Sequence, residues 1–243
     1  TSFHNKGIRE MSILNDWELM LDVDAVLRGQ GGDPKVIRNR NDGVLRLAER
    51  ALEEGTKYLD PVVVFRWLAI ESLRHERITL AGGASLTGPL IVKHLTTAKD
   101  VVAALCTIGN RLEEKTSEVM AEDPAYGLAL DGLGSAAVES LANAACHHFE
   151  TQAADKGYRA TIPLNPGMEG WSVEVGQEEI FNLLGDEHAG VKLTSSSMMI
   201  PRKSLTMVLG FGPEVRDKGH PCDYCSMRET CRYRDDYVGN QTA

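Results

Sequence analysis

The stretch from Asp123 to Gly157 constrains the fold most strongly. Asp123-Pro124 pairs an N-cap side chain with proline at the first helical position, an alanine-rich run follows to Lys156, and Gly157 is a natural terminator. The expectation is one long helix. Its small residues, among them Gly132, Gly134, Ala137 and Ala142, let another element approach closely, so the helix is expected to be largely buried. The bland reading of His147-His148 is the surface of that helix. A buried helix needs other elements around it. At 243 residues the chain supplies one large domain or two small ones, able to bury roughly 70% of the unfolded surface.

Those other elements alternate between helix and strand. Asp33-Pro34 repeats the cap signal and predicts a helix to Gly55, with Gly43 as its weak point. From Val62 to Thr87 β-branched content rises, and Arg77 to Leu80 reads as a strand that turns at Gly82-Gly83. Gly88 to Leu95 reads as a short helix, Val101 to Ile108 as a buried strand, and Gly109-Asn110 opens a charged helix through Met120. Ile162 to Trp171 holds two prolines and two glycines and predicts a structured loop. Gln177 to Leu184 predicts a short helix, and Gly190 to Thr194 and Ser204 to Phe211 predict strands. These signals divide the chain into an N-terminal arm (1–12; its first ten residues either an expression remnant or a polar extension), a body (13–213) and a C-terminal tail (214–243).

Charge and apolar content narrow the function classes. Acidic residues outnumber basic ones by 35 to 26, and the net charge of −9 argues against a nucleic-acid footprint. Arg66 interrupts the longest apolar stretch, Val62 to Ile70, and no membrane segment is expected. There is no leader-like pattern at the start, and the five cysteines are odd in number and unevenly spread, so a reducing, cytoplasmic setting is expected.

The most specific local signal is in the tail. Cys222, Cys225 and Cys231 are spaced as CxxC with a third thiol after five intervening residues. A CxxC turn brings two sulfurs within reach of one metal, and the third thiolate can close the site. Zinc prefers four protein ligands, which would call on His220, cramped beside Cys222. An iron–sulfur cluster tolerates three thiolates with the fourth position filled otherwise, and the spacing leaves cluster, zinc and a simple disulfide open. Arg228, Arg232 and Arg234 could offset thiolate charge or form a solvated basic face. Cys106 and Cys146 read as small core residues.

A second candidate site combines the loop Pro163 to Ser172 with Thr194 to Ser204. Turns with exposed backbone NH groups and hydroxyls suit a polar ligand. The candidate binding residues are Asn165, Pro166, Gly167, Met168, Glu169 and Trp171 on the loop, and Thr194, Ser195, Met199 and Lys203 along the strand edge. On composition alone Met198 and Met199 are core.

Pro166-Gly167, the run Gln177 to Leu184 and the run Gly190 to Ser204 resemble the C-terminal half of the activation domain of cobalamin-dependent methionine synthase. Thr107 to Glu113 and Ala137 to Leu141 resemble stand-alone proteins of that group, and the likeness runs roughly from Leu14 to Gly212. The resemblance implies an α+β fold, a twisted antiparallel sheet flanked by helices, here extended by a metal- or cluster-stapled tail. It also implies binding of S-adenosylmethionine and restoration of inactive cob(II)alamin. The family holds that ligand with an arginine, a short spacer and Pro-Gly-Tyr. Pro163 stands at the arginine position, with Arg159 nearby, and Met168 replaces the tyrosine. Neither replacement supplies the lost hydrogen bonds.

The resulting expectation is an accessory protein that docks on a corrinoid protein or corrinoid-dependent methyltransferase and assists reductive activation of its cobalamin, with a tail iron–sulfur cluster as the redox group. The alternatives are a zinc-stapled docking module without redox chemistry and S-adenosylmethionine-dependent methyl transfer to a corrinoid. Whether the chain is itself an enzyme stays open, with corrinoid reductive activation or methyl transfer as the activity if it is.

Overall fold

Residues Asp100–Thr107 form the middle strand of the fold, and seven of the eight are buried. Side chains alternate across a strand, so Val102, Ala104 and Cys106 enter one core while Val101, Ala103 and Leu105 enter another. The structure, a computed structural model, describes residues 10–40, 42–216, 219–225, 228–229 and 231. In chain order its elements are β1 (Ser12–Leu14), α1 (Val23–Gly29), α2 (Pro34–Arg40), α3 (Asp42–Gly55), β2 (Val62–Arg74), β3 (Arg77–Leu80), β4 (Ser85–Thr87), α4 (Pro89–Leu95) and β5 (Asp100–Thr107). There follow α5 (Arg111–Glu122), α6 (Pro124–Ala154), β6 (Arg159–Ala160), α7 (Val173–Leu184), β7 (Lys192–Leu193), β8 (Met199–Ile200) and β9 (Ser204–Gly212).

The main sheet is antiparallel in the order β4-β3-β2-β5-β9-β6, with β1 paired to β2. The register runs from Val62 opposite Thr107 to Ala69 opposite Asp100, and from Thr107 opposite Ser204 to Asp100 opposite Phe211. A bulge between Ile70 and Ser72 lies where β2 leaves β5 and pairs with β3, and bulges of this kind sharpen the local twist. One face of the sheet packs on α1, α3 and α6, with Phe65, Trp67, Phe149 and Phe211 in mutual ring contact. Burial of each such ring contributes about 1.5–3 kcal/mol. The other face is covered by β3, β4, α4 and α7. The fold is therefore α+β, a curled antiparallel sheet flanked by helices.

Helix α6 has the expected length and cap, since Asp123 accepts from the amide of Tyr126 and fourteen of its residues are buried. Its small residues serve the close approach expected of them. A Cβ on Gly132 would lie 2.7 Å from the carbonyl oxygen of Val26, so α1 crosses α6 almost backbone to backbone. His148, by contrast, is half-buried, with its ring edge-on to Trp17 and Phe65, while His147 is exposed as expected.

Residues 34–40 and 42–55 are helical, in line with the expected helix; α3 buries Ala48 and Ala51, whereas α2 has no buried residue. Other local expectations need correction. Helix α7 begins earlier than its apolar pattern suggests, at Val173, because Ser172 caps it through the amide of Val175. Gly190 to Thr194 contributes only the two-residue β7, paired to β8, because the Thr194 hydroxyl accepts from the amide of Met198 and closes a tight turn. Met198 sits on that turn 57% exposed and is not core. No helix among the described residues is long and apolar enough to cross a membrane. The first nine residues, Arg232 and Arg234 lie outside the described residues.

The described part of the tail is docked on the body. The amide of Glu169 donates to the carbonyl of Tyr224 at 3.0 Å, and Met168 and Cys225 form a bridge of antiparallel type. The Tyr224 ring stands edge-on to His94 at 4.7 Å between centroids, and the Lys93 ammonium lies 4.7 Å from its centre.

Candidate functional site

A cavity of about 620 Å³ opens between α6, β9, the 163–168 loop, the end of α1 and the docked tail. Helix periodicity shapes its floor. Val138, Ala142 and Cys146 recur every four residues along one row of α6, and Ser135, Glu139 and Asn143 form the neighbouring row. Strand alternation shapes one wall, where Lys203, Leu205 and Met207 stand two residues apart. Pro163, Asn165 and Met168 come from the loop, and Cys222, Cys225 and Cys231 come from the tail.

The loop is rigidly built. Gly167 has φ +96°, a conformation that favours glycine, and its amide donates to the Trp171 carbonyl at 2.8 Å. Asn165 ties the loop to the sheet by donating from Nδ2 to the Thr206 carbonyl at 2.9 Å. Its own amide points at Met168 Sδ, 3.4 Å away.

Charges around the cavity are largely paired. Lys203 Nζ is 2.9 Å from Asp131 Oδ1 and donates to Ser135 Oγ at 2.9 Å. Arg202 Nε is 2.6 Å from Glu113 Oε1. Burial alone raises the Glu139 carboxyl above the ordinary carboxylate range, favouring its neutral form. The Cys146 thiol is pushed up to about 12, chiefly by burial and then by Glu150 and Glu139, and its sulfur lies 3.5 Å from Met207 Sδ. Burial also raises the Cys222 thiol, followed by the influence of Cys231 and Cys225.

Of the ten sequence-predicted binding residues, Asn165, Met168 and Lys203 line this cavity. Pro166 packs at the start of α7, where a Cβ on Gly176 would meet it at 2.9 Å. Glu169 is exposed. Trp171 is only 2% exposed in the core on the far face of the sheet, with its indole NH donating to Glu179 Oε2 at 3.0 Å. Thr194 and Ser195 belong to the β7–β8 turn, and Met199 packs against the same far-side core.

All three tail cysteines line the cavity. His220 does not; its Nδ1 accepts from the Cys222 amide at 3.2 Å and caps the short turn Pro221–Tyr224. Among the described residues no group of three or more His, Cys, Asp or Glu side chains is placed to hold a single metal ion. A set of thiols around one cavity nonetheless has the donor chemistry that zinc and iron–sulfur clusters select. Cys106 is core as expected, fully buried, but Cys146 is half-buried and faces the cavity. Sequence reasoning missed Glu139, Cys146 and Met207. The four-residue rows of α6 and the two-residue alternation of β9 carried the signal once those elements were assigned.

No protein-family model matches the sequence, and no curated protein matches it. Among solved structures, the crystal structure of the MetH reactivation domain bound to AdoHcy is similar, with a TM-score of 0.59 at 15% sequence identity. The match covers 88% of this chain and 83% of that one. In fold, this chain resembles the MetH reactivation domain.

Proposed function

We propose that this protein docks on a corrinoid protein and assists the reductive activation of its cobalamin, with Cys222, Cys225 and Cys231 as ligands of an iron–sulfur cluster. The observation that carries the reading is the meeting of the tail thiols and the 163–168 loop on one cavity in a fold like that of the MetH reactivation domain. When bound, such a cluster supplies one-electron transfer at low potential. The body, residues 13–213, is the docking unit, and the tail, residues 214–243, brings the thiols to the cavity. Glu169 and Met168 hold the tail there through backbone contacts with Tyr224 and Cys225. Lys203, Asn165 and Met168 line the space beside the thiols. A reducing, cytoplasmic setting suits five unpaired cysteines.

The test is a mixture of the anaerobically prepared protein with a cob(II)alamin-loaded corrinoid protein and a low-potential one-electron donor. The Co(II) paramagnetic signal should fall faster with this protein than without it, and a Cys222→Ser variant should lose that acceleration. Equal rates in all three mixtures would count against the reading.

A second reading has one observation in its favour. The similar MetH domain is bound to AdoHcy, so the cavity would take an AdoMet-related ligand and support methyl transfer to a corrinoid. Saturable binding of AdoHcy by calorimetry selects it. The positions of Pro163 and Met168 weigh against tight binding, because neither supplies the charged fork or hydroxyl that arginine and tyrosine would.

A further inference from the structure

Four of the five cysteines face one cavity, and the fourth comes from the body of the fold. Cys146 sits on the row of α6 that forms the cavity floor, opposite the tail that carries Cys222, Cys225 and Cys231. The fifth, Cys106, is fully buried in β5 and takes no part in the lining. We propose that Cys146 is the fourth thiolate of a cluster held by the tail cysteines. This rests on the reading of the tail thiols as cluster ligands and adds a residue that the tail motif does not contain.

Three observations carry it. The first is spacing. A zinc ion holds its sulfurs at about 2.3 Å from a single centre. No described side chains are placed to do that here, yet four cysteines line one cavity of about 620 Å³. A cluster, being a body of several atoms, needs its thiolates arranged around a space. The second is the position of the competing ligand. His220 spends Nδ1 on the amide of Cys222 and stands outside the lining. The third is the environment of Cys146 itself. Its thiol contacts the thioether of Met207 at 3.5 Å, a weak acceptor that a stronger ligand bond readily replaces. A ligand on a 31-residue buried helix also fixes one corner of the site rigidly, which a tail alone does not.

The carboxylate in the lining, and so the anionic competitor for the fourth position, is Glu139. Wild type, Cys146→Ser, Cys146→Ala and Glu139→Gln should therefore be prepared without oxygen and reconstituted with ferrous iron and sulfide. Iron, sulfide and electron paramagnetic resonance are then read before and after mild oxidation. The circular dichroism of the metal-free proteins shows that each is folded, and the two Cys146 variants back each other up. Expected is a wild-type cluster that keeps its iron, a Glu139→Gln protein that keeps it equally well, and Cys146 variants that lose iron on oxidation; for a four-iron cluster that loss is about a quarter and leaves the signal of a three-iron species. Cys146 variants indistinguishable from wild type would overturn this assignment and leave the tail cluster standing, and a change confined to Glu139→Gln would transfer the role to the carboxylate. Wild-type protein that takes up no iron, or zinc instead, would overturn the assignment together with the cluster reading.

Discussion

The amide of Glu169 donates to the carbonyl of Tyr224 at 3.0 Å, and this bond joins the tail to the Pro-Gly loop across more than fifty residues of chain. It places the CxxC turn at the rim of the cavity. Side chains reinforce it, since Tyr224 packs edge-on to His94 and under the Lys93 ammonium. Tyr224→Ala removes both ring contacts, together worth roughly 1–2 kcal/mol of tail docking. The undocked population then rises by roughly 5–30-fold, and limited proteolysis should cut the tail faster by a similar factor while the body melts almost unchanged. An unaltered cleavage rate would show that other contacts hold the tail.

Gly132 allows α1 and α6 to meet backbone to backbone. In Gly132→Ala the added methyl would lie 2.7 Å from the Val26 carbonyl oxygen, which forces the helices apart. The expected loss is about 1–3 kcal/mol, with Tm falling by roughly 3–9 °C. Thermal unfolding of the metal-free protein checks this, and a Tm equal to wild type would mean that the crossing relaxes freely.

Glu139 gives a pH-dependent prediction whose sign is fixed by its environment. Burial holds its folded-state pKa above the ordinary value of 4.5, so between the two values the native state binds more protons than the unfolded chain. Its contribution to stability is present below 4.5 and is lost as pH rises through the folded value. Glu139→Gln should therefore raise Tm of the metal-free protein near neutral pH, with an advantage that fades in acid. The same difference at both pH values would remove ionisation as its cause.

Asn165 should prove structural as well as cavity-lining. Asn165→Ala deletes the hydrogen bond to the Thr206 carbonyl, at a cost of about 1 kcal/mol, and loosens the loop that receives the tail. Lower iron retention than wild type at equal folding, measured after reconstitution, is the expected outcome.

Much of the fold was legible because its signals are local. Asp123-Pro124, the alanine run and Gly157 define α6, and the continuous apolar run at Val101 defines a strand buried on both faces. The resemblance to the methionine synthase activation domain anticipated the sheet flanked by helices that the MetH match shows. Asp33-Pro34 and the apolar pattern after it likewise anticipated the helical stretches 34–40 and 42–55. The candidate site was legible in pieces. Cys222, Cys225 and Cys231 stand out by spacing, and Asn165 and Met168 by their Pro-Gly turn, but their meeting depends on backbone bonds that leave no trace in side-chain type. Cys146 was hidden for a different reason. A cysteine in an alanine-rich helix looks like any small core residue until the neighbouring strand and tail show that its row faces a cavity.

The most direct measurement is the iron, sulfide and zinc content of the full chain purified without oxygen and without a metal-binding tag, together with its visible spectrum. The account predicts iron and sulfide in comparable amounts with a broad absorption that bleaches on reduction, lost when Cys222 and Cys225 are changed to serine. Protein with neither iron nor sulfide, or with stoichiometric zinc, would contradict it.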